Sequence, residues 1–123
     1  MVLNMILVIM NFANPDMVGH TANLKFTIEA ISFLDKQIKR IKDWIELIGR
    51  TLFITVDHGN AEITEDKDGN PAIKHTSSPV MLITIDKSLK LKNGKLANIA
   101  PTILDYMGIK KLESMNEDSL IEK

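Results

Sequence analysis

The sequence predicts an α/β fold, and three observations carry that reading. Two short runs, Met5–Met10 and Thr51–Val56, are apolar or β-branched at nearly every position, as central parallel strands buried on both faces are. Between them lies a long stretch whose apolar residues recur every three or four positions, the mark of one helical face. The side chains with chemical promise, Asp16, His20, Asp57, His58 and His75, all fall in loops or just after apolar runs. Open α/β sheets hold their ligands at the carboxyl ends of strands.

Each element follows from local chemistry. Asn14-Pro15 ends the first run, because the residue before proline is pushed out of the helical region while proline itself suits a first helical turn. A helical turn starting there puts Asp16 and His20 four residues apart on one face, with Gly19 between them allowing a close backbone approach. The long helix carries Leu24, Ile28, Ile31, Leu34, Ile38, Ile41, Ile45 and Ile48 along one stripe, and Gly49 is a suitable stop. Phe33 and Trp44 lie near the edges of that stripe and are expected to pack under neighbouring elements. Strand, helix and strand make a βαβ unit with a right-handed crossover and parallel strands. Asp68-Gly69 reads as a hairpin turn, and the acidic cluster around it lacks the spacing of a calcium loop, so it reads as solvated turn. Pro79–Ile85 is a third strand, Pro101 and Gly108 bracket a short helix, and the residues from Lys110 onward read as a polar tail.

Composition bounds the function. The chain has 123 residues, 45% apolar and 25% charged, enough for one domain with a core. A net charge of −1 without a basic patch gives no footing for nucleic acid or an anionic membrane surface. With no cysteine, disulfides and thiolate ligands are excluded, which fits a reducing compartment, and any metal must be held by imidazole and carboxylate. Met5–Met10 is too short to span a membrane and lacks the flanks of a signal peptide, so a soluble, cytoplasmic protein is expected.

The three histidines are the informative residues, two of them accompanied by an aspartate at contact spacing. Asp16, His20 and His75 together offer two nitrogens and an oxygen with a position left open, the pattern of a catalytic metal site. Asp57 and His58 offer half of a second site, and two cations close together polarise a phosphoryl group. Such ligands suit Mn²⁺ as well as Zn²⁺. The plain alternative is a strand followed by a polar turn.

Four stretches stand in order: Asn11-Phe-Ala-Asn-Pro-Asp-Met-Val-Gly-His-Thr21, Val56-Asp-His-Gly-Asn-Ala-Glu62, His75-Thr76 with Pro79-Val80, and Leu96-Ala-Asn-Ile-Ala-Pro-Thr-Ile-Leu104. Together they closely resemble the C-terminal part of the cofactor-independent (2,3-bisphosphoglycerate-independent) phosphoglycerate mutases of the alkaline phosphatase superfamily, over about Ile6 to Leu120. The resemblance implies a three-layer αβα arrangement, with residues 1–123 forming the C-terminal part of a metal-binding domain whose mostly parallel sheet carries helices on its faces. It implies that Asp16, His20 and His75 hold one Mn²⁺ and that Asp57 and His58 hold another, completed by an aspartate and the nucleophilic serine of the N-terminal part. That serine takes phosphate from 3-phosphoglycerate and returns it as 2-phosphoglycerate, through a phosphoserine intermediate.

The same resemblance implies that the inserted transferase domain and the N-terminal part lie outside this chain. None of Ser32, Ser77, Ser78, Ser88, Ser114 and Ser119 matches the nucleophile motif. At most one complete metal site, no mutase activity of its own, and self-association through exposed edges are therefore expected of it, whereas the full-length enzyme is expected to be a monomer. Two positions depart from the family pattern. Ala22 stands where glycine is usual, which matters if the glycine dihedral does, and Asn98 stands where aspartate is usual, read as an exchange of capping side chains. The alternatives are a non-catalytic metal-binding or interaction module, or part of another phosphomutase or phosphatase of the superfamily.

Overall fold

The computed structural model describes residues 7–122, with elements α1 (Asn14–Gly19), α2 (Leu24–Leu47), β1 (Phe53–Thr55), β2 (Leu82–Thr84) and α3 (Ile99–Tyr106). They divide between two compact units. The first takes the chain up to Trp44 together with His58–Val80, and the second takes Ile45–Asp57 together with the chain from Met81 onward.

In the first unit, Pro15 sits in the first turn of α1, as its fixed φ favours. The chain then turns at Ala22, whose φ of 49° lies in the left-handed region that glycine enters freely. Asn23 starts α2 by accepting the Phe26 N–H on its side-chain oxygen at 3.2 Å, a cap that the sequence reading missed. The helix runs as its periodicity predicts and stops before Gly49, which takes a φ of 64°. The hairpin turn is also as expected. Gly69 has a φ of 79°, Glu65 and Pro71 pair, and the Asp66 carboxylate collects the Asp68 and Asn70 backbone N–H groups at 2.9 and 2.8 Å.

The second unit contains the one sheet among the described residues. β1 pairs with β2 antiparallel, Phe53 opposite Thr84 and Thr55 opposite Leu82. Tyr106 of α3 meets Phe53 edge-on at 5.3 Å, and its hydroxyl donates to Asp86 at 3.1 Å. A short 3₁₀ turn, Leu96–Asn98, leads into α3. The residues after Lys110 are not a free tail: Leu91 pairs with Ile121, the Lys92 N–H donates to the Leu120 carbonyl at 2.9 Å, and Leu120 is buried. The Leu120 N–H donates to the hydroxyl of fully buried Thr102, which donates in turn to the Asn98 carbonyl at 2.7 Å.

Asn98 caps the 3₁₀ turn, as expected of a capping side chain, and adds a second contact. Its side-chain oxygen accepts the Lys95 N–H at 2.7 Å while its amide donates to the Asp118 carbonyl at 2.8 Å. An aspartate could do the first and not the second.

Three further expectations are corrected. Leu7–Met10 carry no ladder and are exposed, and the rest of the Met5–Met10 strand lies outside the described residues, so the parallel βαβ pairing is not formed among the described residues. The strand at residues 51–56 shrinks to three residues and is at most half-buried. Leu24, Ile28 and Ile31 of the apolar stripe are exposed, and so are Phe33 and Trp44. The reason is dimensional: a 24-residue helix is about 36 Å long at 1.5 Å per residue, and the unit that holds most of it contains no sheet among the described residues. What is observed is α/β with a small antiparallel sheet.

Candidate metal centre

α1 and two loop segments of the first unit build the cluster. Asp16 lies in the first turn of α1 and His20 directly follows its last residue, so the helical repeat stacks them: His20 Nε2 is 3.3 Å from Asp16 Oδ1. His75 arrives from the return arm of the hairpin and brings its Nε2 to 3.2 Å from the same carboxylate oxygen and 3.2 Å from His20 Nε2. Three ligand atoms thus stand at the corners of a nearly equilateral triangle. Atoms bound at about 2.1 Å to one cation are separated by about 3.0–3.4 Å in octahedral or tetrahedral shells, so the triangle has the dimensions of one ligand face. The donor set passes the test of fit.

The tautomer of His20 is set by a neighbour. Its Nδ1 lies 2.7 Å from the Ile73 carbonyl oxygen, which can only accept, so Nδ1 carries a proton and Nε2 is the nitrogen left to offer a lone pair to a cation. That is the second-partner arrangement by which metal-ligating histidines are oriented. The Asp16 carboxyl is held below its ordinary range, chiefly by the hydrogen bond from Asn60 and further by the neighbouring histidines.

His58, expected beside Asp57 at a second site, stacks on His75 with ring centroids 3.6 Å apart. It joins Asp16 and His75 in an overlapping group whose ligand atoms lie within 4.8 Å of one another. Asp16 and His75 are therefore common to two groups, one with His20 and one with His58. Asp57 is exposed and belongs to the second unit.

Sequence reasoning missed the residues around this cluster. Buried Asn60 donates its side-chain amide to Asp16 Oδ1 at 2.6 Å, and its backbone N–H donates to Glu62 Oε2 at 2.7 Å. The Thr76 hydroxyl donates to the other Glu62 oxygen, and the Thr76 N–H donates to the Gly59 carbonyl at 2.8 Å. Glu62 is consequently held well down, to about 2, with the Thr76 hydroxyl the main cause. Two glycines make room. A Cβ on Gly19 would stand 2.6 Å from Asn60 Oδ1, and one on Gly59 would collide with Thr76 Oγ1 and Glu62 Oε1. The available signal was adjacency: Asn60 and Glu62 lie two and four residues after His58, and Thr76 follows His75.

A carboxylate and two imidazoles converging on one point are donor chemistry suited to a divalent cation, and the chain belongs to the metalloenzyme superfamily, whose family model matches residues 3–111. More narrowly, it is 65% identical over 116 residues to the 2,3-bisphosphoglycerate-independent phosphoglycerate mutase of Mesomycoplasma hyopneumoniae, covering 94% of this chain. Identity to proteins of the same name is 63% over 117 residues in Mycoplasmopsis pulmonis, covering 95% of this chain, and 67% over 114 residues in Mycoplasma mobile, covering 93%. The chain spans 23% of the length of the first and second of these relatives and 22% of the third.

Proposed function

We propose that this chain supplies the metal-holding part of a phosphoglycerate mutase that interconverts 3-phosphoglycerate and 2-phosphoglycerate through a phosphoserine, with Mn²⁺ as the metal. The observation that carries the reading is the triangle of Asp16 Oδ1, His20 Nε2 and His75 Nε2 at 3.2–3.3 Å. Asp16, His20 and His75 would hold one cation, while Asp57 and His58 would contribute to a second whose remaining ligands lie elsewhere in the longer protein. Bound there, Mn²⁺ supplies Lewis acidity that lowers the pKa of a hydroxyl nucleophile and offsets phosphoryl charge.

The chain's own contributions are more specific. Asp16 brings a carboxylate kept ionised by its Asn60 hydrogen bond. His20 brings a lone pair oriented by the Ile73 carbonyl. No serine of this sequence matches the family's nucleophile motif, so the chain by itself binds metal and turns over nothing. In the longer cytoplasmic enzyme, the exposed stripe of α2 would lie against a mostly parallel sheet in a three-layer arrangement. Alone, the chain would bury that stripe by self-association.

Calorimetry with Mn²⁺ on the wild-type chain and on His75→Ala tests the proposal. Binding in the first and its loss in the second is expected, and equal or absent binding in both would sink the reading. Conversion of 3-phosphoglycerate by the isolated chain would overturn the assignment of the nucleophile to another segment.

A further inference from the structure

Around the three ligand atoms lies a second ring of polar contacts that the metal reading does not require, and it centres on Asn60. This side chain is only 4% exposed, yet it is not placed to satisfy itself. Its Nδ2 donates to Asp16 Oδ1 at 2.6 Å and reaches the Asp16 carbonyl oxygen at 3.3 Å. Its Oδ1 is buried without a hydrogen-bond partner among the described residues. Rotating the amide by half a turn would aim its oxygen at two acceptors, so the orientation is dictated by Asp16. An unpartnered buried acceptor is rare in folded proteins and calls for a reason.

The reason is in the oxygen it serves. Asp16 Oδ1 is the atom that both His20 Nε2 and His75 Nε2 approach, and a carboxylate oxygen has two lone pairs. The Asn60 amide occupies one and thereby aims the other at the point between the histidines. Asn60 is itself held. Its N–H is bound by Glu62 Oε2, its carbonyl accepts the Ile63 N–H at 3.2 Å, and the other Glu62 oxygen is bound by the Thr76 hydroxyl. One carboxylate therefore ties the segment following His58 to the segment following His75.

We infer that Asn60 and Glu62 are positioning residues of the metal centre: Asn60 orients the Asp16 carboxylate, and Glu62 locks Asn60 and Thr76 into the geometry that brings His75 to it. The inference rests on the proposed metal reading for its consequence and on the contacts above for its geometry. Partners that orient metal ligands in this way are worth roughly 10–100-fold in metal affinity.

The test uses this 123-residue chain in two arms. In the first, Mn²⁺ affinity is measured by calorimetry for wild type, Asn60→Ala, Glu62→Ala and Glu62→Gln, each melted metal-free to establish the folded fraction. The alanine variants should lose about 10–100-fold in affinity at an unchanged folded fraction. Glu62→Gln should recover most of the loss, since glutamine can accept from the Asn60 N–H and donate to Thr76 Oγ1. Affinities within twofold of wild type in a folded Asn60→Ala chain would overturn the inference. In the second arm, NMR scalar couplings report the χ1 rotamer of Asp16 without metal. A single rotamer in wild type that averages in Asn60→Ala is expected, and a single rotamer in both overturns the inference. A wild-type chain that binds no Mn²⁺ defeats the metal reading, and the second arm still decides what Asn60 does.

Discussion

The two units of this chain solve the same problem with different materials. Neither has a large apolar interior among the described residues, and each is fixed at its centre by a buried polar side chain. In the unit with the histidines that residue is Asn60, which spends its amide on Asp16 and leaves its own oxygen unpartnered. In the unit with the sheet, Asn98 uses both ends of its amide, and Thr102 both donates and accepts, beneath buried Leu120. A satisfied network stabilises; one left partly unsatisfied beside a ligand cluster points to function. The comparison teaches where a substitution should show as stability and where as metal affinity.

The largest effect is expected in the sheet unit. Leu120→Ala removes its buried apolar side chain and should cost about 3 kcal/mol, read as loss of amide-exchange protection in residues 81–122, with Mn²⁺ affinity unchanged. Loss of metal binding in that variant would break the comparison. Gly59→Ala is the counterpart. Its Cβ would collide with Thr76 and Glu62, so about 2 kcal/mol of destabilisation is expected, together with loss of Mn²⁺ binding.

Asn98→Asp sharpens the contrast further. The variant keeps the acceptor for Lys95 N–H, loses the donor to the Asp118 carbonyl and sets a carboxylate near Glu117, and should cost about 1–2 kcal/mol in urea unfolding with no change in metal affinity. Ala22→Gly relieves a positive φ and should raise stability by about 0.5–1 kcal/mol, an increase that thermal melting would detect.

The smallest effect is a pH dependence. Glu62 has its folded pKa depressed from 4.5 to about 2, so its contribution is fully present above 4.5 and is lost as the pH falls from there toward 2. The side chain is exposed, which keeps the amplitude small. Urea midpoints of wild type should fall through that window more steeply than those of Glu62→Gln, and parallel curves would contradict the assignment.

What the sequence reveals here is what is local. The repeat of α2, the stop at Gly49, Pro15 in α1 and the bracket of Pro101 and Gly108 around α3 each act over a few residues, and each is where it was expected. Asp16 and His20 on one face follow from the same periodicity. The partner of β1, the docking of Leu120 on Thr102 and the stacking of His58 on His75 depend on chain segments far apart, and no local pattern encodes them. Asn98 shows the limit most clearly. Read as a cap, it is interchangeable with aspartate; its amide donor matters only because Asp118 returns to meet it. The exposed stripe of α2 is the opposite case, a correct helix whose expected burial did not follow.

The sequence separation of the cluster's members also sets the order in which it can come into being. His20 is 53 residues from the carbonyl that orients it and 55 from His75, and Asp16 is 44 from Asn60. Helical turns settle within about a microsecond, whereas contacts of that span wait on closure of long loops. During synthesis at about 5–20 residues per second, Asp16 and His20 stand ready for on the order of several seconds before His75 is made. The hairpin arm carrying His75 is thus the closing piece, and delaying its emergence delays the site without delaying the long helix.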